Sequence, residues 1–254
     1  MREKIDVVVL AKDSERSLES CCKAVLNYVP VGNLIVVVGK SVDRTFEIAA
    51  RFANILVKDE GKGIGCARGE GLEHVKTRFY ASIDSDVIVC PEWYYWCFKT
   101  MVENPLVGAC EGYIKPFGRY YYKFQHTLRD KGYCSLGNTL LRSNLIREVG
   151  MPIEPYGEDW RLRERIERNG HEWIVNFDLV STHLVTDIDI FRHYINFGKK
   201  GKSSLVTLSK EVVLSLKEFL ASENPGISCR AYILLLRLSH FYGLVSGKGI
   251  NRAY

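Results

Sequence analysis

Apolar positions change their period several times along the chain, and each change marks an element. Residues 5–10 are a β-branched run that Lys12, Asp13 and Ser14 end, and Leu18, Cys21, Cys22, Val25 and Leu26 then recur at the spacing of one helical face. The pattern repeats. Residues 33–38 form a second buried run, and Gly39-Lys-Ser41-Val-Asp43-Arg-Thr45 opens a helix through Ala50. A third short strand is predicted over 55–57. A glycine-rich loop, residues 61–65, leads into a helix over 67–75, and the next strand delivers Asp84. Strands alternating with helices over the first hundred residues predict a doubly wound α/β sheet, parallel in this part and flanked by helices. Ligands are then expected at the carboxyl ends of the strands, where Asp13, Asp43 and Asp84 fall.

The second half is less regular. Residues 91–101 read as a helix crowded with aromatics, Trp93, Tyr94, Tyr95, Trp96 and Phe98, which serve as core and wall. Residues 108–122 read as strand, with an aromatic and basic rim at 118–123, followed by a short strand over 136–141. A helical turn over 142–150 closes on glycine, a helix spans 161–168 after Glu158-Asp159-Trp160, and a late strand covers 173–177. Beyond Val185 the character shifts. Arg192, His193, Lys199, Lys200 and Lys202 gather with no acid between Ile190 and Lys210, and Gly198 and Gly201 loosen the stretch. That composition suits a solvated basic loop and equally a lid over a diphosphate. Residues 231–246 are apolar nearly all round yet shorter than the ~20 needed to span a bilayer. They are expected either to pack as a terminal helix or to lie in a membrane interface, with Arg230, Arg237, Lys248 and Arg252 toward headgroups. A domain over 1–190, with halves of about 1–100 and 101–190, is thus followed by a basic loop and helical extension over 191–254.

A net charge of +5 and a pI near 8.7 fit an anionic ligand or membrane surface and fall short of the clustered base of a nucleic-acid binder. The eight cysteines include no C-x-x-C pair and no histidine pattern, so reduced thiols, a cytoplasmic setting and no zinc are expected. The apolar run after Met1 is too short for a signal peptide.

The chemistry is concentrated in Asp84-Ser-Asp86. Side chains at i and i+2 of an extended backbone point the same way, so both carboxylates are expected to meet one point in space. Such a point suits Mg²⁺ or Mn²⁺, which take oxygen ligands and keep coordination sites for water and phosphate. A pair of solvated turn residues would look the same in isolation. Glu158-Asp159 has a similar double reading, as a helix cap or as a site acid.

Four motifs in one order carry a resemblance: Ser41-Val-Asp43-Arg-Thr45 after strand two, Gly65-Cys-Ala67-Arg68 opening the third helix, Asp84-Ser-Asp86, and Gly157-Glu158-Asp159-Trp160 before a helix ending in Asn-Gly. The chain from about residue 5 to 183 resembles the nucleotide-sugar glycosyltransferases of the GT-A fold, specifically the inverting family 2. The resemblance implies a metal-dependent transfer of a hexose from a nucleoside-diphosphate sugar to a glycan or lipid-linked acceptor. It implies Asp43 and Arg68 near the nucleotide, Asp84 near the ribose and metal, Asp86 and His183 as metal ligands, and Asp159 as catalytic base. Glu158 would bind sugar or acceptor beside it, and Asp13 stands where the family often has asparagine. Arg192, Lys199 and Lys200 would add charge at the diphosphate. Val38 occupies the place where the family commonly has a base-contacting aspartate, which leaves the donor base open. A retaining enzyme, or a catalytically silent donor-binding or membrane-associated protein, are the alternatives, and the expected setting is the cytoplasm or the inner face of the cell membrane.

Overall fold

The computed structural model describes residues 3–117, 133–153, 157–186, 188–191, 195 and 234–242. The rim at 118–123 and the residues Arg192, His193, Lys199, Lys200 and Lys202 lie outside them, as do residues 231–233 and 243–246 of the apolar C-terminal stretch. The chain divides into two compact units. The first comprises residues 1–115 and 133–184; the second, 116–132 and 185–254.

The first unit is built on one eight-stranded sheet. Its strands are β1 (Ile5–Ala11), β2 (Val31–Val38), β3 (Ile55–Lys58), β4 (Phe79–Asp84), β5 (Val87–Ile88), β6 (Val107–Pro116), β7 (Asn138–Arg142) and β8 (Glu172–His183). They lie in the order β3-β2-β1-β4-β7-β6-β8-β5. Strands β3, β2, β1 and β4 are parallel, as the βα alternation predicts. Strand β7 then runs antiparallel between β4 and β6, and β5 pairs antiparallel with β8.

Alternation along each strand explains why two layers of helix are needed. Val7, Val9, Leu34, Val36, Ala81 and Ile83 face one core, covered by α1 (Leu18–Tyr28), α2 (Thr45–Phe52) and α4 (Trp93–Glu103). Val8, Ile35, Val37 and Tyr80 face the other, covered by α3 (Ile64–Glu73), α5 (Ser143–Val149) and α6 (Glu158–Arg168). Each fully buried Val, Leu or Ile here contributes about 1.5–3 kcal/mol. The sheet is therefore a rigid platform for the loops at its carboxyl edge.

Three readings are corrected. The backbone does not stay extended from Asp84 to Asp86: β4 ends at Asp84, and Ser85 and Asp86 form a turn before β5. The helix expected from residue 161 begins at Glu158, which places both acids inside its first turn. The late strand runs on to His183, because its distal end finds β5 as a partner, with Val87 opposite His183. In the second unit, residues 234–242 are helical, and Ile190 and Leu236 are buried with Val185 and Phe191 against them. No helix among the described residues is long and apolar enough to cross a membrane.

Candidate active site

The site begins with the period of β4. Tyr80, Ser82 and Asp84 share the face that looks toward α3 and α6, and the last two are polar. Arg68, from α3, meets them and is only 4% exposed. Its Nη2 donates to Asp84 Oδ1 at 2.9 Å and its Nη1 to Ser82 Oγ at 2.7 Å and to the Leu136 carbonyl at 3.3 Å. Its Nε donates to Glu158 Oε1 at 3.3 Å. Burial opposes the Arg68 charge, but Asp84 and Glu158 outweigh it and raise its pKa. All three guanidinium nitrogens are thus engaged within the protein.

Gly137 has a specific reason to be glycine. A Cβ there would lie 2.5 Å from Asp84 Oδ2 and 2.9 Å from its Cγ, so any side chain would displace the carboxylate. The Gly137 carbonyl also accepts the Asp84 N–H at 3.1 Å. The loop before β7 and the tip of β4 are therefore fitted to each other.

Asp86 has a different partner. Its Oδ2 lies 3.3 Å from His183 Nε2, and its carbonyl accepts the Leu184 N–H at 2.8 Å. Burial works against a charged imidazole, but the hydrogen bond and charge of Asp86, with Asp84 behind it, raise the His183 pKa above its ordinary value. His183 Nδ1 is buried with no hydrogen-bond partner among the described residues. No three His, Cys, Asp or Glu side chains already converge there as a preassembled cage, again among the described residues. The arrangement is two pairs, Arg68–Asp84 and Asp86–His183, either side of one turn. Each aspartate keeps one oxygen outside these contacts. That donor set, two carboxylates and an imidazole, fits a divalent cation such as Mn²⁺.

Asp13 and Asp43 lace neighbouring loops. Asp13, at a φ of 48°, donates its N–H to Ser41 Oγ at 3.0 Å and accepts the Val42 N–H on Oδ1 at 3.0 Å. Asp43 accepts Thr45 N–H on Oδ1 and Glu15 N–H on Oδ2, each at 3.0 Å. Burial costs it something, but these bonds and that from the Thr45 hydroxyl hold its carboxyl below the usual range. Ser14 Oγ and Ser85 Oγ, 2.8 Å apart, tie the first loop to the β4–β5 turn.

On α6, Gly157 adopts a left-handed conformation, φ 71°, and starts the helix so that Glu158 is buried and Asp159 half-buried. Asp159 Oδ1 accepts the Trp160 N–H at 2.8 Å. Burial, reinforced by the charge of Glu158, lifts the Asp159 pKa from 3.8 to about 6, despite that bond and Arg68. A carboxylate there is ionised at neutral pH yet basic enough to accept a proton.

Sequence reasoning missed three residues of this neighbourhood: Ser82, Gly137 and Glu111. Glu111 stands on β6 opposite Thr139, which stands opposite Ser82, so the three form a polar row across β4, β7 and β6. Glu111 is 0% exposed and accepts the Trp173 indole N–H on Oε2 at 2.8 Å. Burial pushes its pKa well above the usual range, with Asp159 adding to the effect, and Oε1 has no partner among the described residues. Its one signal in the sequence is an acid amid the small and apolar residues of 107–114. Arg192, Lys199 and Lys200 lie outside the described residues.

The family profile described as Glycosyl transferase family 2 matches residues 6–180. A glucosyl-3-phosphoglycerate synthase from Mycobacterium tuberculosis, in complex with Mn²⁺, uridine diphosphate and phosphoglyceric acid, superposes with a TM-score of 0.56 at 22% identity, over 72% of this chain and 71% of that one. A mannosyltransferase from Pyrobaculum calidifontis, in complex with GDP-mannose and Mn²⁺, superposes with a TM-score of 0.58 at 16% identity, over 99% of this chain and 75% of its own. A mycobacterial protein gives a TM-score of 0.52 at 21% identity over 72% of this chain, and this chain spans 65% of its length. At such identities the likeness establishes a shared fold. No curated protein matches by sequence. Because the profile runs from β1 into β8 and includes the sheet, the Asp84–Asp86 turn and the Glu158–Asp159 helix start, the chain has the GT-A fold and belongs to glycosyl transferase family 2.

Proposed function

We propose that this protein transfers a hexose from a nucleoside-diphosphate sugar to an acceptor hydroxyl, with inversion at the anomeric carbon. The observation that carries the reading is the Arg68 network. It brings Asp84, at the tip of β4, and Glu158, in the first turn of α6 beside Asp159, to one guanidinium. Asp84, Asp86 and His183 would hold Mn²⁺ or Mg²⁺. The ion would neutralise charge developing on the departing diphosphate. Mn²⁺, Mg²⁺ and uridine diphosphate in the synthase complexes, and GDP-mannose with Mn²⁺ in the mannosyltransferase, support the metal and donor class.

The chain's own residues do the rest. Asp159 accepts the proton of the acceptor hydroxyl as that oxygen bonds to the anomeric carbon and the sugar–phosphate bond breaks. Glu158, fixed by Arg68, orients the first turn of α6 and with it the base. Asp13 and Asp43 shape the loop wall for the nucleotide, and Arg192, Lys199 and Lys200 would meet the diphosphate. Val38 in place of an aspartate leaves either base acceptable. A glycan or lipid-linked acceptor, reached from the cytoplasm or the inner face of the membrane, completes the proposal.

A thermal-shift screen of uridine and guanosine diphosphates and their sugars, each with and without Mn²⁺, tests it. A ligand that binds only the folded state raises apparent stability, so a Mn²⁺-dependent rise is expected for one base. NMR of the product's anomeric proton then reads the stereochemistry. Binding indifferent to Mn²⁺, or a product of retained configuration, overturns the corresponding part.

A further inference from the structure

Arg68 joins three elements. It stands on α3, its Nη2 holds Asp84 at the end of β4, and its Nε holds Glu158 in the first turn of α6. Bonds from Nη1 to Ser82 and Leu136 stop the fork from swinging out to follow either carboxylate. One positive charge therefore serves two negative ones, 4% exposed to water. In such surroundings charge–charge attraction is screened less than at the surface, and each bond is sensitive to the state of the others. Whatever draws Asp84 toward a cation leaves more of the Arg68 field for Glu158. Whatever neutralises Glu158 leaves Arg68 to Asp84 alone.

We propose that Arg68 is a positioning residue that couples the cation-binding end of β4 to the start of α6, where Asp159 stands. This rests on the reading of Asp84 as a metal ligand and adds to it a direction of influence. Glu158, which makes no contact with the metal in that reading, sets how firmly Asp84 is held by Arg68 and so how well it competes for the cation. The coupling is reciprocal: a cation at Asp84 tightens Arg68 on Glu158 and steadies the helix turn that carries the base.

The test is Mn²⁺ binding to the full chain, followed by the electron paramagnetic resonance signal of free Mn²⁺ with no donor or acceptor present. Wild type, Glu158→Gln, Arg68→Lys and the double variant are compared. Glu158→Gln is expected to weaken Mn²⁺ binding about five- to tenfold. In the Arg68→Lys background, where a single ammonium replaces the fork, the same change should have an effect of less than about twofold. Arg68→Gln supplies the second background if the lysine variant does not fold. A purely structural Glu158 would lower the urea midpoint and leave the Mn²⁺ dissociation constant of the folded protein unchanged, which overturns the coupling and leaves the proposed function intact. An equal Glu158→Gln effect in both backgrounds routes the influence past Arg68 and overturns it as well. Wild type that binds no Mn²⁺ removes the metal-site reading itself, and the coupling with it.

Discussion

Replacing Asp159 with asparagine should make the protein more stable and almost inactive, and the stability gain should depend on pH. Burial and Glu158 lift the Asp159 carboxyl from 3.8 to about 6, so the folded protein resists its ionisation. At 1.36 kcal/mol per pKa unit, that displacement is about 3 kcal/mol, and solvent screening at a half-buried position reduces it to roughly 1–2 kcal/mol. The sign follows from linkage. A carboxyl whose folded pKa is raised contributes stability that is present below the unfolded value and is lost as pH rises through the folded one. The difference between variant and wild type should thus be small near pH 4, grow between pH 4 and 6, and stay flat above. The amide introduced by Asp159→Asn would keep an oxygen for the Trp160 N–H, so the helix start survives the change. Urea unfolding of both proteins across that pH range, without metal, reads the stability, and the transfer rate should fall by about 10²–10⁴. Equal stability at every pH would refute the strained carboxylate, and wild-type turnover would refute Asp159 as base.

For wild type, kcat/KM should fall as pH drops through about 6, the value at which Asp159 takes up its proton, and a profile flat from pH 5 to 8 would count against it. Gly137→Ala puts a Cβ 2.5 Å from Asp84 Oδ2, so Mn²⁺ affinity should drop at least tenfold, with about 1–3 kcal/mol of stability lost to strain in urea melts. Asp43→Ala removes the oxygen that receives Thr45 N–H at the start of α2 and the link to Glu15, and should cost about 1–2 kcal/mol at neutral pH in the same assay. Glu111→Gln keeps an acceptor for the Trp173 indole and removes an acid whose ionisation burial opposes. Stability tied to that proton is lost as pH rises from the ordinary carboxylate range through the raised folded pKa, so the urea midpoint of the glutamine variant should gain on that of wild type as pH rises above that range.

The first three strands were legible because each is a short, largely β-branched run followed by a helix, and such units pack into a parallel sheet in one hand. The insertion of β7 between β4 and β6 was not. Strand order past β4 is decided by which apolar faces meet, and nothing in the local pattern of residues 138–142 records that their partners are residues 79–84. The turn at Ser85–Asp86 escaped for a related reason. The apolar run after Asp86 reads as a continuation of β4, whereas it is a separate strand recruited to β8.

Motif order located Asp84, Asp86, Glu158 and Asp159, but not what joins them. Arg68 and Glu158 are 90 residues apart, and neither helix nor strand period extends over such a distance. What could be read was residue type at element ends; what could not was the burial that gives those residues their chemistry. Asp43 and Asp159 make the contrast plain. Both sit near the start of a helix, and both bond a backbone N–H. One, wrapped in loop donors, has its pKa held below the usual range, while the other, buried beside Glu158, has its pKa lifted to about 6. The same side chain thus clamps a loop in one place and resists ionisation at a helix start in the other, and the difference is set by neighbours that only the folded sheet supplies.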